Sequence, residues 1–574
     1  MKRYKIIMTL LLVFIMGCDD EFLDKKPESS ITLANFLNTK QEFELFANQW
    51  YAYFPKPSGQ VRSAMWNWDD ETDNQLPRNL NLFSSGGLTI NSAPPGFDGG
   101  GWSFAGIRSV NIALGALDDA TDLSENEKKV IEGEMRFFKA YLYYDKVRRF
   151  GDVPWLEQEI NESDIEELYQ PRDSRVLVVN NIIQELDVAI AQLPERNGGR
   201  IHKYAALALK ARICLFEGTF EKYHNVSGGN PNQLLQLAAD TAHEIIENGP
   251  YALHTVGGKT AYKDYFSLQD KSTSKETIFD IGYSADEGLF NWSTIYLSTE
   301  SRTGLSKELA DDYLDINGDP IALSQLFDPA TDYHSLETEV AHRDPRFAQT
   351  VMLPGDVIFN DSASEIVTVP RLDQDFPTGY NIHKFVVRDV GNPIQNRQGE
   401  DSFPLFRLGE IYLIYAEALA ELGTISQSDV DQSINRLRDR AGMPHMVLAD
   451  LVRDPDSDFD GSFPPIDAVS VTIDEIRRER RVELACEGFR KDDLMRWKAG
   501  ALMTKPVIGA KLNESWHPNA LTTGVLVNAD NFILPTYHAT PRVWDEGKNY
   551  LYPIPPSQIG LYENGELTQN PGWQ

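Results

Sequence analysis

The chain has 574 residues, enough for two or more ordinary domains or for one large helical body with insertions. Its formal charge of −32 argues against a nucleic-acid binder and against direct attraction to anionic membrane surfaces. Hydrophobic residues at 41% can fill a sizeable core, and three cysteines are too few for a disulfide scaffold.

The first residues read as an export signal and not as part of a fold. Lys2, Arg3 and Lys5 form a basic stretch, and Ile6 to Met16 is apolar but too short to span a bilayer. It runs into Gly17-Cys18, which resembles the lipobox of bacterial lipoproteins. Cleavage before Cys18 and lipidation of its sulfur are expected, so residues 1–17 are a signal peptide and Cys18 is the anchor. The acidic, polar run 18–30 reads as a tether off the membrane. No later segment has the apolar length of a membrane span.

Helical periodicity follows. Asn35 to Trp50 places Phe36, Phe43, Phe46 and Ala47 on one face. Residues 54–101 break it with PKPSG, APPG and GGG, and a long irregular stretch of this kind predicts functional loops. Ile131, Met135, Phe138 and Leu142 recur at helical spacing and stop at Gly151 and Pro154. Val179 to Leu193, the alanine-rich Tyr204 to Phe216, and Leu234 to Ile246 read as three more helices. Pairs of this size joined by short turns are similar to tetratricopeptide repeats, without their consensus spacing.

From 251 to about 400 the pattern breaks up, with Thr277 to Tyr283 alternating like a strand. Leu405 to Leu422 restores a helical stripe. Val430 to Leu437 continues it, and Ile473 to Trp497 reads as one further helix. The fold class is therefore mainly α, tetratricopeptide-like helix pairs with a loop-rich insertion carrying short strands. The division is 31–250 and 251–574, the latter holding the loop-rich part. Cys214 and Cys486 sit among apolar neighbours in helical patterns and read as buried thiols, with one disulfide as the alternative.

Enzyme signatures fail. His243-Glu244 lacks a second histidine one turn on, and there is no nucleophile elbow or phosphate loop. Asp69, Asp70, Glu71 and Asp73 are the best-clustered carboxylates, as a glycosidase pair or as a solvated acidic loop. No catalytic residue and no organic cofactor is assigned. Asp456, Asp458 and Asp460 followed by Gly461 match the start of a calcium loop. Position 12 is Asp467 instead of Glu, and Pro464 and Pro465 interrupt the return. A structural Ca²⁺ and a plain acidic loop are the two readings.

Two irregular segments set several aromatics beside polar residues. One is Trp66-Asn67-Trp68-Asp69-Asp70 with Asp73 and Asn74. The other is Phe290-Asn291-Trp292 with Tyr296. Neither shows helical spacing. Rings that pack on flat apolar sugar faces, rimmed by carboxylates and amides, are what a glycan site needs. These residues form the candidate ligand platform.

An ordered set of segments carries a resemblance. It comprises RFFKAYLYY (136–144) leading to RFGDVP (149–154), AALALKARICLFEG (205–218), and FPLFRLGEIYLIYAEA (403–418). Asn435 to Gly442, Glu479 to Trp497, Leu551 to Pro555 and Gln569 to Trp573 complete it. Together they resemble the RagB/SusD family of outer-membrane nutrient-binding lipoproteins, over essentially the whole chain. The resemblance implies a glycan ligand, with a peptide as the alternative, and pairing with a SusC-like TonB-dependent outer-membrane barrel. It implies a lipid-anchored protein facing outward that binds and does not transform its ligand, and a ligand site drawing on loops from these two parts of the chain. Within the same segments Arg136, Arg407 and Arg480 lie on faces directed to a core and require partners. Glu410, Glu417, Glu479, Glu483 and Glu487 are the nearest supply.

Overall fold

The computed structural model describes residues 36–573 apart from 56–68, 71, 82, 93–100, 161–162, 360–363, 388–398 and 563–565. Cys18, the signal segment, Trp66 and Trp68 lie outside the described residues.

The N-terminal half is built from helices with strong local signals. Helix α1 (Lys40–Tyr51) opens on a Thr39–Glu42 capping box. After α2 (Ala105–Asp119), α3 (Glu125–Phe150) begins at a second capping box, Ser124 with Glu127, and stops at Gly151 with φ +72°. Next come α4 (Arg175–Gln192), capped by Ser174, and α5 (Lys203–His224), ended by Asn225 in the left-handed region. Helix α6 (Pro231–Asn248) has Pro at its first turn. Helices α3 and α4 pack on one another, as do α5 and α6. Alanines at 205, 206, 208 and 211 are fully buried and let α5 come close to its neighbours. Gly218 marks the tightest approach: a Cβ there would sit 2.9 Å from Leu235 Cγ.

The remaining named helices are α7 (Ser293–Thr299), α8 (Leu408–Leu422), α9 (Ile434–Ala441), α10 (Val471–Glu483) and α11 (Arg490–Arg496). Helix α8 packs against α6 and α10, which ties the C-terminal helices to the N-terminal pairs. The single helix expected over Ile473 to Trp497 is two. Cys486 (φ +65°) and Gly488 (φ +78°) turn the backbone between them, and this turn swings α11 back beneath the loop at residue 69.

Strands are short: β1 (Gln75–Pro77), β2 (Thr277–Ile281), β3 (Thr303–Leu305), β4 (Val357–Phe359), β5 (Ser364–Ile366), β6 (Phe403–Arg407), β7 (Leu526–Val527) and β8 (Ile533–Leu534). They pair antiparallel as β1–β3, β2–β6, β4–β5 and β7–β8. The fold is thus mainly α, with the strands confined to two-stranded ladders. The largest core fills the space between α1 and α6, and a second core, around Tyr262, Phe347, Tyr380 and Phe385, underlies the loop-rich part. Trp497 and Trp573 are buried, and Cys214 and Cys486 are buried free thiols.

Candidate functional site

The stretches that follow the two aromatic-rich segments pair in a ladder. Gln75 pairs with Leu305, Leu76 with Gly304, and Pro77 with Thr303. The chain leading out of residues 66–74 therefore runs beside the chain leading out of Phe290 and α7. Gly304 lets β3 sit close against Thr378: a Cβ there would lie 2.1 Å from Thr378 Oγ1, so a side chain would displace Thr378 or the strand.

Asp69, Asp73 and Asn74 of the first segment are buried, not set along an exposed rim. Asp73 is fully buried. Its carboxylate accepts from Arg490 Nε at 2.8 Å and Nη2 at 2.6 Å, and lies 3.1 Å from Arg481 Nη2. Burial alone would raise its pKa, but Arg481 and Arg490 prevail and hold it well below the usual carboxylate range. Asn74 is also buried. Its side-chain oxygen accepts from Arg481 Nε at 2.7 Å and its carbonyl from the Ser306 N–H at 2.9 Å. Asp69 is fully buried against the start of α11 and accepts from the Arg490 N–H at 3.3 Å. Its other oxygen receives no hydrogen bond among the described residues. Burial pushes Asp69 up to about 7, opposed by Arg490 and reinforced by Asp493 and Asp73. Asp70 is half-buried and accepts from the Thr303 hydroxyl. These residues bolt the base of the loop to α10, α11 and β3. As a catalytic pair, Asp69 and Asp73 have no exposed surface from which to reach a glycosidic bond.

In the second segment, Leu289 and Phe290 stand on a turn closed by the Ser284–Leu289 bridge and are 54% and 38% exposed. Asn291 is buried, donating to the Asp401 carbonyl at 2.9 Å and anchoring the turn. Trp292 is half-buried at the start of α7, its ring 5.5 Å from that of Tyr296. Tyr296 is 6% exposed and belongs to the second core. Of the three aromatics, Phe290 presents the most surface and Trp292 is half-buried, whereas Tyr296 is buried within α7 and not on an irregular loop.

The ladder also gathers residues that no sequence pattern singled out. Arg78 donates to Asp375 at 3.2 Å and to Gln374 at 2.6 Å. Arg302, held at φ +54°, donates its N–H to the Asp375 carbonyl at 2.7 Å. The Thr536 hydroxyl donates to the Arg78 carbonyl at 3.3 Å, and the neighbouring Tyr537 senses the charge of Asp70. They come from positions 78, 302, 374–375 and 536–537, and only the fold assembles them.

The calcium-loop residues do not converge. Both oxygens of Asp458 accept from Lys505 Nζ at 2.8 Å, Asp460 accepts from the Ser462 N–H at 2.7 Å, and Asp456 and Asp467 are exposed. Among the described residues no group of three or more His, Cys, Asp or Glu side chains is placed to hold a metal ion.

The arginines find partners only partly within the expected set. Arg407 pairs with Glu276, Glu483 and Glu487, and Arg480 with Asp493 and, at 3.9 Å, Glu417. Arg136 instead takes Glu132 and Glu185, and Glu410 goes to Arg212.

Helix pairs, carrying loops and short two-stranded ladders with Phe290 exposed on one turn, define a mainly helical scaffold with a loop-rich face. Residues 262–573 match the family model described as "SusD family", and residues 21–215 match one described as "Starch-binding associating with outer membrane". The chain belongs to the SusD family. It is 24% identical to SusD-like protein P2 of Formosa agariphila, over the full length of both. A SusD-like protein from Bacteroides fragilis superposes with a TM-score of 0.71 at 22% identity, covering 96% of this chain and 100% of that one. A SusD-like carbohydrate binding protein from the same organism superposes at 0.68 and 21% identity, covering 92% and 99%. Among the described residues no helix is long and apolar enough to cross a membrane.

Proposed function

We propose that this chain is a lipid-anchored glycan receptor of the outer membrane. It captures an oligo- or polysaccharide at its loop face and passes it to a TonB-dependent barrel. The observation that carries the reading is the match of residues 21–215 to a starch-binding, outer-membrane family model, in a chain that aligns end to end with SusD-like proteins. The site geometry supports binding over catalysis, because the clustered carboxylates Asp69 and Asp73 are buried and engaged by the start of α11 and by two arginines. Trp66 and Trp68, with Phe290 and Trp292, form the aromatic platform, and Arg78 and Asp375 supply polar groups beside the ladder. Cys18 carries the lipid.

Affinity gels and product analysis with a panel of plant, algal and bacterial glycans test the binding reading. Retardation by at least one glycan with no cleavage product is expected. Cleavage would make the protein a surface glycosidase, and binding confined to a parallel peptide panel would make it a peptide receptor. Replacing Cys18 with Ala should release the protein from outer-membrane fractions. Extraction in mild detergent followed by pull-down should recover a large β-barrel protein, and recovery of this chain alone across several detergents counts against the transporter partnership.

A further inference from the structure

Behind the base of the aromatic loop lies a cavity of about 290 Å³, bounded by α10, the turn after β3, and the residue 454–459 loop. Six basic and seven acidic side chains line it. Most of the charges are paired, some of them with groups outside the lining: Arg490 with Asp73, Arg477 with Glu421 and Asp474 with Arg453. Lys505 reaches Glu308 at 2.9 Å and Asp458 at 2.8 Å, Arg481 donates to Asp312 at 2.7 Å, and Lys307 pairs with Asp311. Several of these side chains remain accessible, with Glu308, Asp312 and Lys505 at 23–25%. Phe459, Pro506 and Ile508 provide an apolar wall.

This chemistry selects its occupant. A net charge entering the cavity meets attraction from one member of each pair and repulsion from the other, and gains only by breaking a pair that is costly to break. A hydroxyl does not face that choice. It donates to a lone pair a carboxylate still has free, and accepts from a guanidinium proton not already engaged. The Arg481–Asp312 pair, 2.7 Å apart, presents an acceptor and a donor at the spacing of two neighbouring hydroxyl oxygens. The apolar wall suits the C–H face of a ring, and preformed pairs lose little freedom on binding. A metal ion is the wrong occupant, because the carboxylates are committed to cations and do not converge.

We propose that the cavity is a second binding site, for a neutral sugar of one to two rings, distinct from the aromatic platform. Arg481 and Arg490 line it and also hold Asp73, so an occupant rests against the strut that fixes the platform's loop. The site stands whether or not the platform binds polysaccharide.

Saturation-transfer NMR and calorimetry on the full soluble chain test it, with glucose, galactose, mannose, xylose, rhamnose and fucose at tens of millimolar. Glycine betaine and sulfate serve as the charged probes. At least one sugar should bind, and Lys505→Met and Asp458→Asn should each weaken it tenfold or more while Phe290→Ala leaves it unchanged. Asp456→Trp, at an exposed position on the cavity wall, should block binding with the named ion pairs intact, which decides the matter if the first two variants fail to fold. Three results overturn the proposal: no sugar of the panel binds, only betaine or sulfate binds, or binding survives all three cavity variants and is lost in Phe290→Ala. Platform failure looks different, because there polysaccharide retardation disappears and the monosaccharide signal remains.

Discussion

The ion-pair centre beneath α9 and α10 and the loop face around β1 and β3 both draw on arginines, carboxylates and aromatics, and they use them in opposite ways. In the first, Glu483 has no exposed surface and receives Arg407, Arg440 and Arg346, at 2.8, 2.6 and 3.1 Å. Burial would raise its pKa, yet the three guanidinium groups hold it far below the normal range. In the second, Arg78 and Arg302 gather around a half-buried Asp375, and Phe290 stands in solvent. Where every charge has several buried partners, the side chains fix how helices sit. Where partners are few and water is near, the same residue types are free for a ligand. Composition therefore says little about role; the number of partners and the depth decide it.

The sharpest way to break this contrast is to remove the hub. Glu483→Gln leaves three buried arginines without their shared counter-charge, and the loss should be about 3–5 kcal/mol of unfolding free energy. Urea melts of parent and variant measure it. A loss under 1 kcal/mol would place this centre with exposed pairs, whose removal costs little.

Asp69 sits on the border between the two regions, buried like the first and attached to the second. Free in an unfolded chain its carboxyl ionises near 3.8, and in the fold near 7. Between these values the folded state holds a proton that the unfolded state has released. Its contribution to stability is thus fully present below about pH 4 and is lost as pH rises through 7. Asp69→Asn removes the dependence. From about pH 5 to about pH 8 the stability difference should move by about 2–3 kcal/mol in favour of the variant. Thermal melts across that range check the sign, and a constant difference would mean that Asp69 is ionised throughout.

The sequence made the helical frame legible because its signals are local. The stop at Gly151 and the apolar stripes of α3 to α6 each act within a few residues. The break inside Ile473 to Trp497 was hidden, because a lone Gly488 inside an apolar stripe is a weak stop and Cys486 at positive φ is set by tertiary packing. At the site, the exposed Phe290 and half-buried Trp292 follow from aromatics in an irregular stretch. The inward turn of Asp69, Asp73 and Asn74 does not. Their partners, Arg481 and Arg490, lie some four hundred residues away, and an acidic run reads the same whether it faces water or two arginines. The Lys505 partner of Asp458 was hidden for the same reason, since it comes from 47 residues away.

The smallest effect belongs to the exposed ring, and it sharpens the comparison most cleanly. Trp292 and Tyr296 pack into the second core, so truncating either mixes lost affinity with lost packing. Phe290 is 38% exposed on a turn that the buried Asn291 holds in place. Phe290→Ala should therefore leave the melting temperature nearly unchanged. Affinity for the glycan found by gel retardation should fall by about 1–2 kcal/mol, the scale of one aromatic contact short of a dominant anchor. Trp292→Ala should lose both affinity and stability. Calorimetry beside thermal melts reads the two quantities separately. If Phe290→Ala destabilised the fold and bound glycan as tightly as the parent, this turn would belong with the structural region, and the ligand face would be sought at Arg78, Asp375 and Tyr537.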